Sequence, residues 1–220
     1  GLPERTRSLA EAVARRAEAT GHEYDKRIAA AMALNAEGDH NAAAKAWRKM
    51  IKQWPDRPAL YHNLGVVLQR SNHKPEAAPM CLKAMELSKG GSENWARTAA
   101  SAFDLLKTPA CREVPKPEWW NDDALKALSA QVVIVTPDNH QSCGMRALVL
   151  QGHALFKVPW SAGPRTAAEI KEAATWYRRA EMLTSTPAEK LYYERSARAC
   201  DTYADPLLAK EAAEAAKARA

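Results

Sequence analysis

Six histidines and four cysteines are the side chains of this 220-residue chain best suited to hold a metal or attack a substrate. Their spacing supports neither chemistry. His140 and Cys143 form the one close pair, three residues apart, and on a helix they would share a face. A structural zinc centre takes four ligands, and neither His153 nor Cys111 supplies a second paired motif. His40 and His73 fall in polar turns, where solvent exposure is the default. Cys81, Cys111, Cys143 and Cys200 lie far apart, which points to reduced thiols in an intracellular compartment rather than a disulfide framework. The loop Lys157-Val-Pro-Trp-Ser-Ala-Gly-Pro164 lacks the glycine pattern and the Lys-Ser/Thr end that cradle phosphates. No acid, base and nucleophile converge. The expectation is a protein that is not an enzyme, with no catalytic residues, no metal ligands and no cofactor.

The elements that would position these groups repeat. Ala31, Gly65 and Ala99 stand 34 positions apart, and the pattern of small and bulky residues around the first two recurs. One unit runs from Tyr24 to Arg57, with Ala30, Ala31 and Leu34 early, Ala43, Trp47 and Met50 later, and Pro55 near its end. The next starts at Pro58 and places Tyr61, Leu64, Gly65 and Leu68 before Ala77, Cys81 and Ala84. Each unit holds two helical patterns of about a dozen residues. The patterns are separated by Glu37-Gly38-Asp39 in one unit and Ser71-Asn72-His73 in the other. Small positions let two helices approach closely while bulky ones fill the seam to the next pair, so Trp47 is expected to be buried and Gly65 to accept Ala but not Leu.

These residues resemble the tetratricopeptide repeat family. The match lies in Tyr61, Leu64, Gly65, Ala77 and Ala84, and again in Ala31, Gly38, Ala43, Trp47 and Pro55. A third unit opens at Ser92 with Trp95 and Ala99, and its second helix is delayed by the Pro-rich segment Lys107 to Asn121. A fourth pairs Ala147 with Ala173, Tyr177 and Ala180 around an insertion from Lys157 to Arg165. The resemblance covers Tyr24 to Ser185. It implies an all-α, right-handed superhelix of antiparallel helical hairpins with two loop insertions and terminal caps. The expected layout is a leading capping helix over residues 1–23, a solenoid over 24–185, and a trailing helix with an Ala/Lys/Glu-rich tail over 186–220.

The resemblance also implies a concave binding face. Its groove positions fall on Ile28, Met32, His62, Asn63, Val66, Gln69, Arg70, Arg97 and Phe103. The carboxylate clamp of chaperone adaptors would fall on Ile28, Met32, Asn63, Glu93 and Arg97, of which Asn63 and Arg97 alone have the required types. Glu93 would repel the carboxylate that such a clamp must hold. Trp119, Trp120 and Trp160 lie in the insertions, where they either brace the loops or meet a partner. The implied function is a protein–protein interaction adaptor or accessory subunit of a larger assembly, binding a protein or an acidic peptide; the alternative is an RNA-binding helical repeat.

Local signals complete the reading. Ser8…Glu11, Thr166…Glu169 and Thr186…Glu189 read as capping boxes, and Asp205-Pro206 opens a weakly packed helical tail. Gln131 to Thr136 has strand-favouring residues yet continues a helical pattern from Asn121, so it reads as the buried end of a helix. The net charge of +6 is modest, with acids interleaved among bases. No apolar run reaches the roughly 20 residues of a membrane span. The first residue, Gly1, is consistent with processing, a tag remnant or a piece of a longer chain. The expected location is cytoplasmic, or a chloroplast or mitochondrion after removal of a targeting segment.

Overall fold

The computed structural model describes residues 7–8, 10–15 and 22–219, which form two compact units. Residues 7–8 and 10–15 are helical. Because Arg7 already precedes Ser8 in the helix, Ser8 lies inside it rather than capping it, and residues 1–6 and 16–21 lie outside the described residues. No strand occurs among the described residues. The chain is all-α.

The first unit, residues 1–89 with 108–114, contains α1 (Glu23–Glu37), α2 (His40–Gln53), α3 (Pro58–Arg70) and α4 (Lys74–Leu87). Backbone conformation shows the repeat directly. Gly38 ends α1 with φ +88°, a region open to glycine, and Asn72 takes φ +64° at the matching point 34 residues later. Both turns then close in the same way, with Asp39 N–H donating to Leu34 O at 3.0 Å and His73 N–H donating to Leu68 O at 2.8 Å. Asp39 also caps α2 by accepting from Ala42 N–H at 2.9 Å.

Trp47 is 1% exposed, which matches its expected burial, and Met50, Leu60, Leu64 and Cys81 are buried with it in this unit's core. At Gly65 a Cβ would come within 2.8 Å of Cys81 Sγ and 3.5 Å of Ala77 O. The missing side chain therefore sets the spacing of α3 and α4, and even Ala would force Cys81 to move. A short 3₁₀ turn, Pro109–Cys111, packs against α4 and buries Cys111. The first insertion is thereby divided, its first half joining this unit.

The second unit, residues 90–107 with 115–220, contains α5 (Glu93–Leu106), α6 (Asp122–Val135), α7 (His140–Gln151), α8 (Ala167–Leu183) and α9 (Pro187–Lys217). Cys143, Ala147 and Leu150 of α7, Ile170, Ala173 and Tyr177 of α8, and Ala197 and Cys200 of α9 form one buried cluster. Small residues again permit close approach, since a Cβ at Gly144 would lie 2.9 Å from the Tyr193 hydroxyl. The stretch from Gln131 stays helical to Val135, burying Val132 and Val133 while Ile134 points to solvent.

Two terminal details differ from the sequence reading. Thr166 and Glu169 do form a reciprocal capping box. Thr186 makes no side-chain cap; the Glu189 carboxylate instead accepts from Thr184 Oγ1, which also receives Thr186 N–H at 3.2 Å. Pro206 does not open a separate tail, because α9 continues through it to Lys217. Glu211 fixes this extension by accepting Ala167 N–H at 2.9 Å, satisfying a free donor at the start of α8.

Candidate interaction surfaces

In the first unit, the residues expected to bind a partner sit on α1 and α3. Ile28 and Met32 are one turn apart on α1, and His62, Val66, Gln69 and Arg70 follow one stripe of α3 with Asn63 beside it. All but Arg70 are half-buried, and Arg70 is exposed. Their burial leaves apolar edges and polar tips accessible together, which a partner with an apolar anchor and hydrogen-bonding flanks can use.

The ends of this hairpin are held apart from that set. Tyr24 packs edge-on against Trp54 at 5.0 Å, and the Arg27 guanidinium lies 5.8 Å from the Trp54 ring while pairing with Glu23 at 2.7 Å. Burial raises the Tyr24 pKa despite the opposing charge of Arg57. A cleft of about 440 Å³ also opens between residues 7–14 and α1. Alanine methyls line most of it, leaving few polar groups to orient a small molecule.

In the second unit the expected residues separate into two roles. Arg97 is exposed on α5 but lies 2.5 Å from Glu93, so its charge is already matched. Phe103 is fully buried and Trp160 is 5% exposed. Neither is open to a partner: for Phe103 this corrects the expectation of apolar contact, and of the two roles open to Trp160 it leaves bracing. Their rings lie 5.6 Å apart, and Trp120 sits 5.7 Å from each. Trp119 joins the edge of this cluster at 5.8 Å from Trp120. Trp120 Nε1 donates to Pro159 O at 3.4 Å, and the Lys116 ammonium lies 6.0 Å from its ring. The tryptophans thus brace both insertions against α5; Trp119 and Trp120 remain half-buried.

A residue pair not singled out in the sequence fixes the second insertion. The Arg165 side chain is 1% exposed and grips Asp122 with both terminal nitrogens, at 2.8 and 2.5 Å. The same guanidinium donates to Gly163 O at 2.9 Å and Val149 O at 3.0 Å. Asp122 also accepts Gly163 N–H at 3.1 Å. Gly152, with φ +53°, makes room, since a Cβ there would lie 2.8 Å from the guanidinium. Desolvation raises the Asp122 pKa, but hydrogen bonds from Arg165 and Gly163 outweigh it and hold the carboxyl below its usual range. Glu169 is lowered similarly, burial being outweighed by Lys126 at 2.6 Å and its capping bonds. The one sequence signal for the pair is that Arg165 carries the only charge between Val158 and Thr166.

α5, α7 and α9 also assemble a polar group absent from the sequence reading. Lys107 lies 2.7 Å from Asp104, which accepts Gln141 Nε2 at 3.2 Å, and His140 lies 3.7 Å from Glu189. Desolvation lowers the Lys107 pKa, while Asp104, Tyr192 and Glu189 more than reverse it. His140 and Cys143 therefore serve different contacts. Cys143 is buried, its Sγ donates to Pro137 O at 3.5 Å, and burial pushes its thiol up to about 11.

Paired helices, a recurring left-handed turn and small residues at the helix contacts make this a tetratricopeptide-repeat-like protein. Among solved structures it is similar to yeast Tom70, with a TM-score of 0.56 and 18% identity over 96% of this chain. The chain spans 40% of the length of that Tom70 chain. MamA is a further structural neighbour, with a TM-score of 0.46 and 14% identity over 83% of this chain and 96% of its own. No family model and no curated protein matches the sequence. At such identities the likeness to Tom70 is one of fold. No helix among the described residues is long and apolar enough to cross a membrane.

Proposed function

We propose that the protein is a non-enzymatic interaction scaffold that holds a protein or peptide on the α1 and α3 face of its first unit. The observation that carries this reading is the graded burial of that face. Ile28, Met32 and Val66 offer apolar edges, while Asn63, Gln69 and Arg70 offer polar contacts beside them. An extended peptide or partner helix with an apolar anchor and a flanking Asp or Glu matches these groups. Arg97 is a weaker contact because Glu93 already balances it, and among the insertion tryptophans Trp119 and Trp120 retain exposed edges. Service as an accessory subunit of a larger assembly follows from the same surface.

The test is affinity capture with the intact chain, identification of the partner, and titration against an Asn63→Ala/Arg70→Glu variant. The reading expects at least a tenfold loss of affinity with helix content unchanged. Unchanged affinity would refute it, and loss confined to Trp119→Ala would move the contact to the insertion.

A further inference from the structure

The helices of this protein mostly neutralise their own charges. Glu23 pairs with Arg27 on α1, Lys83 with Glu86 on α4, Glu93 with Arg97 on α5 and Glu194 with Arg198 on α9, each at a spacing of three or four residues. α2 does the reverse. Between His40 and Gln53 it contains no Asp or Glu, and Lys45, Arg48, Lys49 and Lys52 are all exposed. Spacings of three, four and seven residues put these four cations on one face. Every close pair within the stripe is therefore repulsive, an arrangement that destabilises an isolated helix. Glu76 pairs with Arg48 at 3.0 Å, and Asp39 is engaged in capping α2. Lys45, Lys49 and Lys52 have no ion-pair partner among the described residues.

We infer that the α2 stripe docks an acidic segment of a partner protein, with carboxylates recurring about once per helical turn. Geometry favours this occupant. The stripe runs only about 10 Å along the helix axis from Lys45 to Lys52, too short for the six to ten phosphate contacts of a strongly salt-dependent nucleic-acid complex. Among the described residues, the exposed large hydrophobic side chains all lie between Ile134 and Leu208, in the second unit. The described part of the first unit presents no such exposed side chain beside the stripe to insert into a membrane or to stack on bases. A row of three or four carboxylates on a helix or extended segment fits the length and sign of what remains.

The inference uses no residue of the α1 and α3 face, so the two surfaces can fail separately. The probe is a labelled helical peptide with Glu at i, i+4, i+7 and i+11 on one face, titrated into the intact chain by fluorescence anisotropy. A uridine oligoribonucleotide and phosphatidylserine vesicles are run beside it. The peptide should bind more tightly than either alternative, lose affinity as salt rises, and bind at least tenfold more weakly to Lys45→Glu/Lys49→Glu. That variant turns two of the four repulsive close pairs, 45–48 and 49–52, into attractive ones and leaves the other two repulsive, so its thermal midpoint should not fall; if its helix content drops, Lys45→Gln/Lys49→Gln makes the same test. Asn63→Ala/Arg70→Glu should bind the peptide as the unmodified chain does. Unchanged affinity in both Lys variants, loss in Asn63→Ala/Arg70→Glu instead, or preference for RNA or vesicles would overturn the inference.

Discussion

In the first unit α1 reaches α2 across two residues and α3 reaches α4 across three, whereas in the second α5 and α6, and again α7 and α8, are joined by 15 residues each. A short turn needs little: one left-handed residue and a closing backbone bond, repeated at Gly38 and Asn72. A long loop must satisfy its own backbone and cover its own apolar surface. The second unit does so with the cluster of Phe103, Trp119, Trp120 and Trp160 and with the buried Arg165–Asp122 pair. Loop length therefore governs which large residues stay accessible in each unit. In the first unit the proposed binding face keeps half-open side chains; in the second, aromatic residues that look like binding elements are consumed in holding loops.

Changes that remove the second unit's brace sharpen this contrast most. Arg165→Ala leaves Asp122 with Gly163 N–H and with Lys126 at 4.0 Å, and should destabilise by about 3 kcal/mol in urea denaturation, the low end of the range for breaking a buried ion pair. Arg165→Lys should rescue little, because one ammonium cannot replace a two-pronged grip with two further carbonyl contacts. A loss below about 1 kcal/mol for Arg165→Ala would show the loop to be held by its rings alone. In the first unit the comparable lesion is Trp47→Ala, expected to cost about 3–5 kcal/mol as a large core deletion.

Gly65→Ala tests the tight approach of α3 and α4. The added methyl meets Cys81 Sγ, so the expected cost is about 1–3 kcal/mol. Cys81→Ala should relieve it, giving a favourable coupling in a double-mutant cycle. Strict additivity would show that the helices adjust without Cys81.

The smallest effect is on acid stability. Asp122 and Glu169 both have lowered pKa values in the folded chain. Their contribution is therefore fully present above the ordinary carboxylate pKa of about 4 and is lost as pH falls through their lower folded values. Asp122→Asn should flatten the fall of the urea midpoint with pH in that range; an unaltered slope would place the acid sensitivity elsewhere.

The first unit was legible because its signals are local. Ala31, Gly65 and the two polar turns recur at one period, and the contacts that follow from them lie between neighbouring helices. The helical fate of Gln131 to Val135 was legible for a related reason, as its apolar residues continue the pattern begun at Leu125 and Leu128. The second unit's brace was not. Trp120 meets Pro159 across 39 residues and Asp122 meets Arg165 across 43, and no period relates one irregular loop to another. The Thr186 cap is not legible from spacing, because Thr184 offers an equivalent hydroxyl two residues earlier. Asp205-Pro206 reads as the opening of a weakly packed helical tail, whereas α9 runs through Pro206 and its Glu211 is anchored by Ala167 N–H at the start of α8.

The measurement that bears most directly on the division between a presenting unit and a braced one is a paired titration of the captured partner against Arg70→Glu and Trp120→Ala, each with its urea midpoint. Arg70→Glu should lose at least tenfold in affinity at an unchanged midpoint, while Trp120→Ala should lose stability and, where still folded, bind the partner normally. Normal binding by Arg70→Glu together with lost binding by a fully stable Trp120→Ala would contradict that division.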